Sequence, residues 1–288
     1  MQSMTAVHRL SLILMTLFVM CTPAGAAERP ALRLGVIDES FYEVVGNVVA
    51  QALERQGYKV NLSRGSHTDI YGAVGRGDID LCVAFWLPDG HATQWKALDG
   101  KVAEVVTLYE GAHFFWGVPS YVPAGEVSTI SDLRKPAVAA RMDHTIHGLA
   151  PDATITFQSI AAIDKYQLRE AGYQVVPGSI PAWTSSLQNA VAARRWVVVP
   201  TWTPNWLVRE YGLRPIADPQ NLLGGMNRVV LAAHNPPGTA VLTEADLAAI
   251  RSLKISLDDV IDMDVAINKN GLSPENVARS WLEAHSAH

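Results

Sequence analysis

The feature that most constrains the fold is the alternation of short apolar runs with longer, helix-periodic apolar stripes near the start of the chain. Residues 32–36 form a compact apolar run, and residues 41–56 repeat their apolar side chains every three or four positions, which predicts a strand followed by a helix. Gly57 is placed to end that helix. A strand, a helix and a strand are then predicted over 58–62, 68–76 and 79–84. This β-α-β-α-β order predicts a mostly parallel sheet with helices on its faces.

A second α/β pattern follows a break at residues 119–125, which contain two prolines and a glycine. Strands are predicted over 105–109, 113–118, 145–149, 173–176, 196–199 and 227–233, and helices over 155–168 and 181–194. The C-terminal part is predicted to be helical, because Thr243 and Ser273 stand where helix caps are expected.

Two α/β units of similar size predict the α/β class and a two-lobed architecture, with central mixed sheets flanked by helices and a ligand cleft between the lobes. Lobe one is predicted from residues 28–117 and 221–288, and lobe two from residues 118–220. The chain then crosses twice between the lobes, which predicts a hinge. Ligands of open α/β sheets bind beyond the carboxyl ends of the strands, so the residues at those ends are the first candidates for a site.

Residues 1–27 are predicted to be a secretory signal peptide. The apolar run from Leu10 to Met20 is shorter than the about 20 residues that span a bilayer, and small residues follow it. A lipid anchor at Cys21 is not expected, because a lipoprotein signal has a small residue where this chain has Met20. The chain is therefore expected in the periplasm.

Composition and motifs exclude several classes of function. The chain has 23 Lys and Arg against 28 Asp and Glu with no block of like charge, so no nucleic-acid partner is expected. Two cysteines exclude a disulfide scaffold, and Cys82 lies in a predicted buried strand. No hydrolase, metalloprotease or phosphate-loop motif is present, so neither an enzyme nor a cofactor is predicted. The Asp143, His144 and His147 group is a weak metal motif, because His147 lies in a strand-like run.

Trp86 and Trp202 are the first candidate ligand-binding residues. Each lies at or just after the end of a predicted strand and is followed two residues later by a proline, a turn that directs the ring toward the surface. Indole faces attract cations that cannot donate hydrogen bonds, such as quaternary ammonium groups. The alternative is that both rings only pack in the core or between the lobes.

Candidate partners for an anionic group lie at two further positions. His91 is expected to donate a hydrogen bond to a ligand carboxylate, with the anion favouring a charged imidazole. The helix that starts near Thr154 and Ile155 offers backbone N–H groups and the positive end of its dipole. The alternatives are a surface histidine and an ordinary helix start with Asp152 as its cap.

The order of motifs along nearly the whole mature chain resembles the substrate-binding proteins of ABC importers for glycine betaine, proline betaine and choline. The motifs that carry this resemblance are Gly57-Tyr58-Lys59-Val60, Gly77-Asp78-Ile79-Asp80, Trp86-Leu87-Pro88 with His91, Tyr109-Glu110-Gly111-Ala112, Thr201-Trp202-Thr203-Pro204-Asn205-Trp206 and Asp218-Pro219. The resemblance implies a type II periplasmic binding protein. It implies capture of a quaternary amine or betaine-like zwitterion and its delivery to an ABC permease and its ATPase. The protein is expected to be a monomer.

The resemblance also implies roles for individual residues. Trp86 and Trp202 match two aromatic positions that enclose the ammonium group, one from each lobe. His91 and the backbone amides of Thr154 and Ile155 match positions that meet the ligand carboxylate.

Two departures from the family pattern bear on the ligand. Glu39 stands where the family often has a third cage tryptophan, which leaves Phe41, Tyr42, Phe115 or Trp116 to complete the cage. Asp152 brings negative charge into the loop that usually binds the carboxylate. These acids favour the alternative that the same transport role serves an amino acid or another cationic solute.

Overall fold

The structure is a computed structural model that describes residues 29–151, 153–235 and 241–285. The predicted signal peptide, Cys21 and Asp152 lie outside the described residues. None of the described helices is long and apolar enough to cross a bilayer.

Strands and helices alternate along most of the described chain, as the apolar pattern predicts. The strands are Ala31–Ile37 (β1), Lys59–Gly65 (β2), Leu81–Leu87 (β3), Val102–Pro119 (β4), Thr145–His147 (β5), Gln174–Val176 (β6), Val199–Thr203 (β7), Leu213–Ile216 (β8) and Asn227–His234 (β9). The helices are Ser40–Arg55 (α1), His67–Arg76 (α2), Ala92–Ala97 (α3), Pro136–Ala139 (α4), Thr154–Lys165 (α5), Ile180–Ala192 (α6), Trp206–Glu210 (α7), Glu244–Ser252 (α8), Leu257–Asn270 (α9) and Pro274–His285 (α10). Short 3-10 helices occupy Ile130–Arg134 and Leu168–Ala171.

The main sheet is mixed, in agreement with the predicted fold class, but the prediction of a mostly parallel sheet is wrong, because β9, β4, β7 and β8 form antiparallel pairs. Its strand order is β2-β1-β3-β9-β4-β7, and β8 also pairs with β4. Strands β2, β1 and β3 are parallel, whereas β9 is antiparallel to both β3 and β4. Strands β5 and β6 form a separate parallel pair. The predicted β-α-β-α-β start is confirmed.

Strand β4 connects the two halves of the molecule. Its residues 102–112 pair with β9, and its residues 113–119 pair with β7 and β8. The prediction of two separate strands over 105–109 and 113–118 is therefore wrong. Gly111 lies between these regions with a φ of 93°, and the register shifts there, so a glycine carries the strand through an irregularity.

Two apolar clusters form the interior. The first surrounds β1, β3 and β9 and includes Leu34, Val83 and Leu231. The second includes Trp116, Ile146 and Ile163. Burial of each large apolar side chain contributes roughly 1.5–3 kcal/mol, so each cluster is a substantial source of stability. Residues Trp183, Trp202, Leu207 and Leu213 belong to the first cluster, so packing crosses the predicted lobe boundary at 118. The boundaries themselves stay a prediction.

Local sequence signals explain several helix starts. Thr243 caps α8, accepting a hydrogen bond from the backbone N–H of Asp246 as predicted. The same arrangement starts α2 at Ser66 and α9 at Ser256.

Cys82 is fully buried in β3, as predicted, and burial raises the pKa of its thiol.

Candidate ligand-binding site

A cavity of about 560 Å³ opens beside the carboxyl ends of β3 and β7. The N-terminal ends of α1, α2, α5 and α6 also border it. This is the position that the open-sheet rule favours, because ligands of such sheets bind beyond the carboxyl ends of the strands. The predicted residues that line the cavity are Glu39, Phe41, Tyr42, Trp86, His91, Thr154, Ile155 and Trp202.

Aromatic rings from separate parts of the chain converge on one end of the cavity. The Phe41 ring centroid lies 6.0 Å from that of Trp86 and 6.4 Å from that of Trp202. Tyr42 lies 6.2 Å from Trp86. The Phe41 ring is therefore close to both tryptophans, which makes it the candidate for the third ring that the sequence left open.

Phe114 also lines the cavity and joins the two tryptophans from the side of β4. It is the cross-strand partner of Trp202, and its ring centroid lies 5.3 Å from that of Trp86. Residues directly opposite on antiparallel strands pack against each other, so β4 holds both indoles near one another.

Trp202 rests on a second tryptophan. The Trp183 ring in α6 stacks on it at 5.5 Å, and Trp183 Nε1 donates a hydrogen bond of 3.0 Å to the carbonyl of Pro200. The hydrogen bond ties Trp183 to β7, the strand that carries Trp202, and the Trp183 ring packs against the Trp202 ring. Trp202 Nε1 is buried and has no hydrogen-bond partner among the described residues.

His91 is neutral in this arrangement. Its Nδ1 accepts a 3.0 Å hydrogen bond from the backbone N–H of Trp86, so the ring proton resides on Nε2. Burial, together with the nearby His67 ring, holds the pKa of His91 well below its usual range. The expectation of a charged imidazole is therefore wrong, because the geometry uses Nδ1 as an acceptor and leaves Nε2–H as a neutral donor.

Glu39 occupies the cap position at the start of α1 and lines the cavity. No side chain among the described residues forms a hydrogen bond or ion pair with its carboxyl. Burial raises the pKa of Glu39 to about 8, and the negative charges of Asp264 and Asp38 add to this effect. Glu39 is thus an acid that holds its proton near neutral pH.

The opposite wall is formed by the start of α5. Ala153 is the cap residue and its side chain makes no capping hydrogen bond, so the first turn presents backbone N–H groups and the positive end of the helix dipole. Thr154 Oγ1 donates a 3.2 Å hydrogen bond to the carbonyl of Gly90, in the loop that follows Trp86. The two walls of the cavity are therefore in direct contact.

Comparison with known proteins identifies the family. Residues 30–284 match the family described as the substrate-binding domain of ABC-type glycine betaine transport systems. The chain belongs to this family. The fold is accordingly the two-lobed α/β fold of type II periplasmic binding proteins, as predicted.

Individual relatives agree with this assignment. The structure of lactococcal OpuAC, closed on glycine betaine, is 25% identical, with a TM-score of 0.76 over 90% of this chain and 96% of OpuAC. ProX from Borrelia burgdorferi is 22% identical, with a TM-score of 0.74 over 88% of this chain and 93% of ProX.

A curated relative is the glycine betaine/carnitine transport binding protein GbuC of Listeria monocytogenes serotype 1/2a (strain 10403S). It is 26% identical over 149 residues, which are 52% of this chain. The match spans about half the length of GbuC, 49%.

Phe115 and Trp116, two of the residues predicted to complete the aromatic cage, do not line the cavity. Trp116 is fully buried in the second apolar cluster, where its Nε1 donates a 2.8 Å hydrogen bond to Ser159 Oγ. Phe115 packs against His113, with ring centroids 5.4 Å apart. Phe114 lines the cavity instead. Phe115 faces away because neighbouring residues of a strand point to opposite sides. Trp116 is on the same side as Phe114 but lies two residues further along β4, within the second apolar cluster.

Sequence reasoning also missed Phe114, His67 and Tyr71, which line the cavity. Both His67 and Tyr71 lie on α2, and a periodic pattern alone does not show which residue of a helix start faces a distant strand end.

Among the described residues, no group of three or more His, Cys, Asp or Glu is arranged to hold a metal ion. His144 of the weak metal motif instead contacts the carbonyl of Ala139, and Asp143 pairs with Arg195.

Proposed function

We propose that this protein captures a quaternary amine or betaine-like zwitterion in the cavity and delivers it to an ABC permease. The observation that supports this proposal is the convergence of the rings of Phe41, Trp86 and Trp202 on one end of a single cavity. The match with OpuAC supports the same transport role, because that relative is complexed with glycine betaine.

The cavity offers both kinds of contact that such a ligand needs. Each aromatic face contributes about 0.5–2 kcal/mol to the binding of a cation, most when the cation is desolvated. A carboxylate at the other end is met by His91 Nε2–H and by the first turn of α5. Binding here requires no bond making or breaking, so the proposed role is transport rather than catalysis.

Ligand closure follows from the path of β4. This strand carries Phe114 and passes from one half of the molecule to the other, so rotation about its irregular part near Gly111 moves one wall of the cavity against the other. In this proposed role the protein is a monomer outside the cytoplasm. It presents its ligand to the permease and its ATPase.

Titration of tryptophan fluorescence with glycine betaine, choline and carnitine, alongside a neutral amino acid, tests this function. We expect saturable binding of at least one quaternary compound and a loss of about twofold to 30-fold in affinity for Trp202→Ala, which corresponds to the contribution of one aromatic face. Trp281→Ala is the matched control, because Trp281 is as buried as Trp202 (both 8% exposed) but does not line the cavity. No binding of any quaternary compound to the folded wild-type protein would overturn the proposal.

A second candidate keeps the transport role but changes the ligand to an amino acid or another cationic solute. The specific observation in its favour is the Glu39 carboxyl, which stands in the cavity where an aromatic ring was expected. The same titration separates the two candidates, because only the second predicts that the amino acid binds most tightly.

A further inference from the structure

The acids around the cavity differ in whether they have partners. Asp264 accepts hydrogen bonds from Ser40 Oγ (2.5 Å) and from the backbone N–H of Trp206 (2.7 Å). Glu43 pairs with Arg64 at 3.0 Å, and Asp38 is exposed to solvent. Glu39 alone among these acids has its carboxyl on the cavity and no donor from the described residues.

The backbone holds Glu39 in place. Its N–H donates to the carbonyl of Ile37, and its own carbonyl accepts from the N–H groups of Tyr42 and Glu43. The backbone of Glu39 is therefore fixed between the end of β1 and the first turn of α1, two residues before Phe41 of the aromatic cluster. Its unpartnered carboxyl lies on the cavity and is available to accept a hydrogen bond from whatever the aromatic rings hold.

The charge balance of the cavity points in the same direction. No lysine or arginine among the described residues lines it, and His91 is neutral. The carboxylate of a zwitterion would be met by His91 and the first turn of α5, and it would be repelled by Glu39 once that carboxyl ionises. A ligand with a positive charge and no carboxylate meets no such repulsion.

We propose that Glu39 makes this cavity selective for a quaternary ammonium cation that carries a hydroxyl donor, the choline class, over a zwitterion of the glycine betaine class. The inference rests on the proposed function, since it assumes that the aromatic rings hold an ammonium group. Glu39 is then the residue that discriminates between ligands that the aromatic rings alone would bind about equally.

Glu39 also couples binding to pH. The groups that face it are Asp38 and Asp264, whose charges oppose its ionisation, and Tyr42 and Tyr71, which are buried and un-ionised. Because the pKa of Glu39 is about 8 in the free protein, a bound cation that favours the ionised form releases a proton below that pH. The affinity for such a cation therefore rises with pH, by at most about tenfold per unit, and levels off above about pH 8.

Calorimetric titration with three probes tests the inference: choline, its O-methyl ether and glycine betaine. The ether keeps the positive charge of choline and lacks the donor, whereas glycine betaine replaces the hydroxyl with a carboxylate. We expect wild-type protein at pH 8 to bind choline about tenfold more tightly than either other probe, as one hydrogen bond to a charged acceptor predicts. Titration in two buffers of different ionisation enthalpy at pH 7 should show proton release with choline.

Glu39→Gln supplies the decisive comparison. We expect it to bring all three affinities to within about threefold of each other and to abolish proton release with choline. Glu43→Gln is the matched control, because it removes a neighbouring acid on the same helix that is paired with Arg64 and does not line the cavity. It should keep the wild-type order.

The outcomes separate the inference from the proposed function. Tightest wild-type binding of glycine betaine, or an unchanged order in Glu39→Gln, overturns the role of Glu39 and leaves capture of quaternary amines standing. Failure of all three probes to bind the folded wild-type protein overturns the proposed function itself.

Discussion

The two walls of the cavity are built from different chemistry. One wall, from α1, α2 and the loop after β3, carries every titratable side chain that lines the described cavity, including Glu39, Tyr42 and His91. The other wall, from the starts of α5 and α6 and the end of β7, presents Trp202, backbone groups and small or apolar side chains such as Ala153 and Ile155. We therefore expect the first wall to set which ligand charge is accepted, and the second to supply contacts that depend little on pH.

The walls also differ in how they are held. The loop after Trp86 is tied to β9 by Asn227 Oδ1, which accepts hydrogen bonds from the backbone N–H groups of Asp89 (2.8 Å) and Gly90 (2.9 Å). Trp202 is held mainly by ring stacking on Trp183. We expect polar substitutions to damage the first wall more, and apolar substitutions to damage the second.

The largest expected effect is on the first wall. Asn227→Ala leaves two backbone N–H groups in a mostly buried loop without their acceptor, which predicts a loss of about 2–4 kcal/mol in the free energy of unfolding. Urea denaturation measures it, and Asn276→Ala, at an exposed position, is the control. A loss no larger than that of the control would break the contrast between the walls.

The pH dependence of stability sharpens the comparison. Glu39 has a folded-state pKa of about 8, above the ordinary 4.5, so the folded state binds more protons than the unfolded state between these values. Stability from this group is full below about pH 4.5 and is lost as pH rises through 8, by at most about 1.4 kcal/mol per unit.

Urea denaturation of the free protein at pH 5.5 and pH 7.5 checks this slope. We expect Glu39→Gln to flatten it relative to wild type and Glu54→Gln, at an exposed position of the same helix, to leave it nearly unchanged. Equal slopes in wild type and Glu39→Gln would show that the first wall does not hold an acid of raised pKa.

The smallest expected effect concerns the second wall. Trp183→Leu removes the ring on which Trp202 stacks, and aromatic pairs contribute about 0.5–1.5 kcal/mol beyond buried area, so ligand affinity should fall about threefold to tenfold. The change should be the same at pH 6 and pH 8, because none of the described side chains of this wall is titratable. Trp196→Leu, in the second apolar cluster, is the control; an equal loss there would remove the special role of Trp183.

Sequence patterns predicted much of the order of elements, and eight of the ten predicted ligand-binding residues line the cavity. The helix-periodic stripe became α1, and the capping pattern at Thr243 became the start of α8. The strand predicted over 196–199 instead runs from Val199 to Thr203, so Trp202 lies within β7 rather than after it. Short elements such as α3 and α7 were missed, because their five or six residues are too few for a period to show.

The sequence by itself determined the succession of strands and helices, the presence of indole rings near two strand ends and an acid where the family often has an aromatic residue. Tertiary structure alone decided that Phe114 rather than Phe115 lines the cavity, that His91 is neutral and that Glu39 holds its proton to about pH 8. The physical reason is that periodicity is a local property of the chain. A pKa or a ring contact depends instead on burial and on charges brought close from distant positions, such as Asp264 beside Glu39.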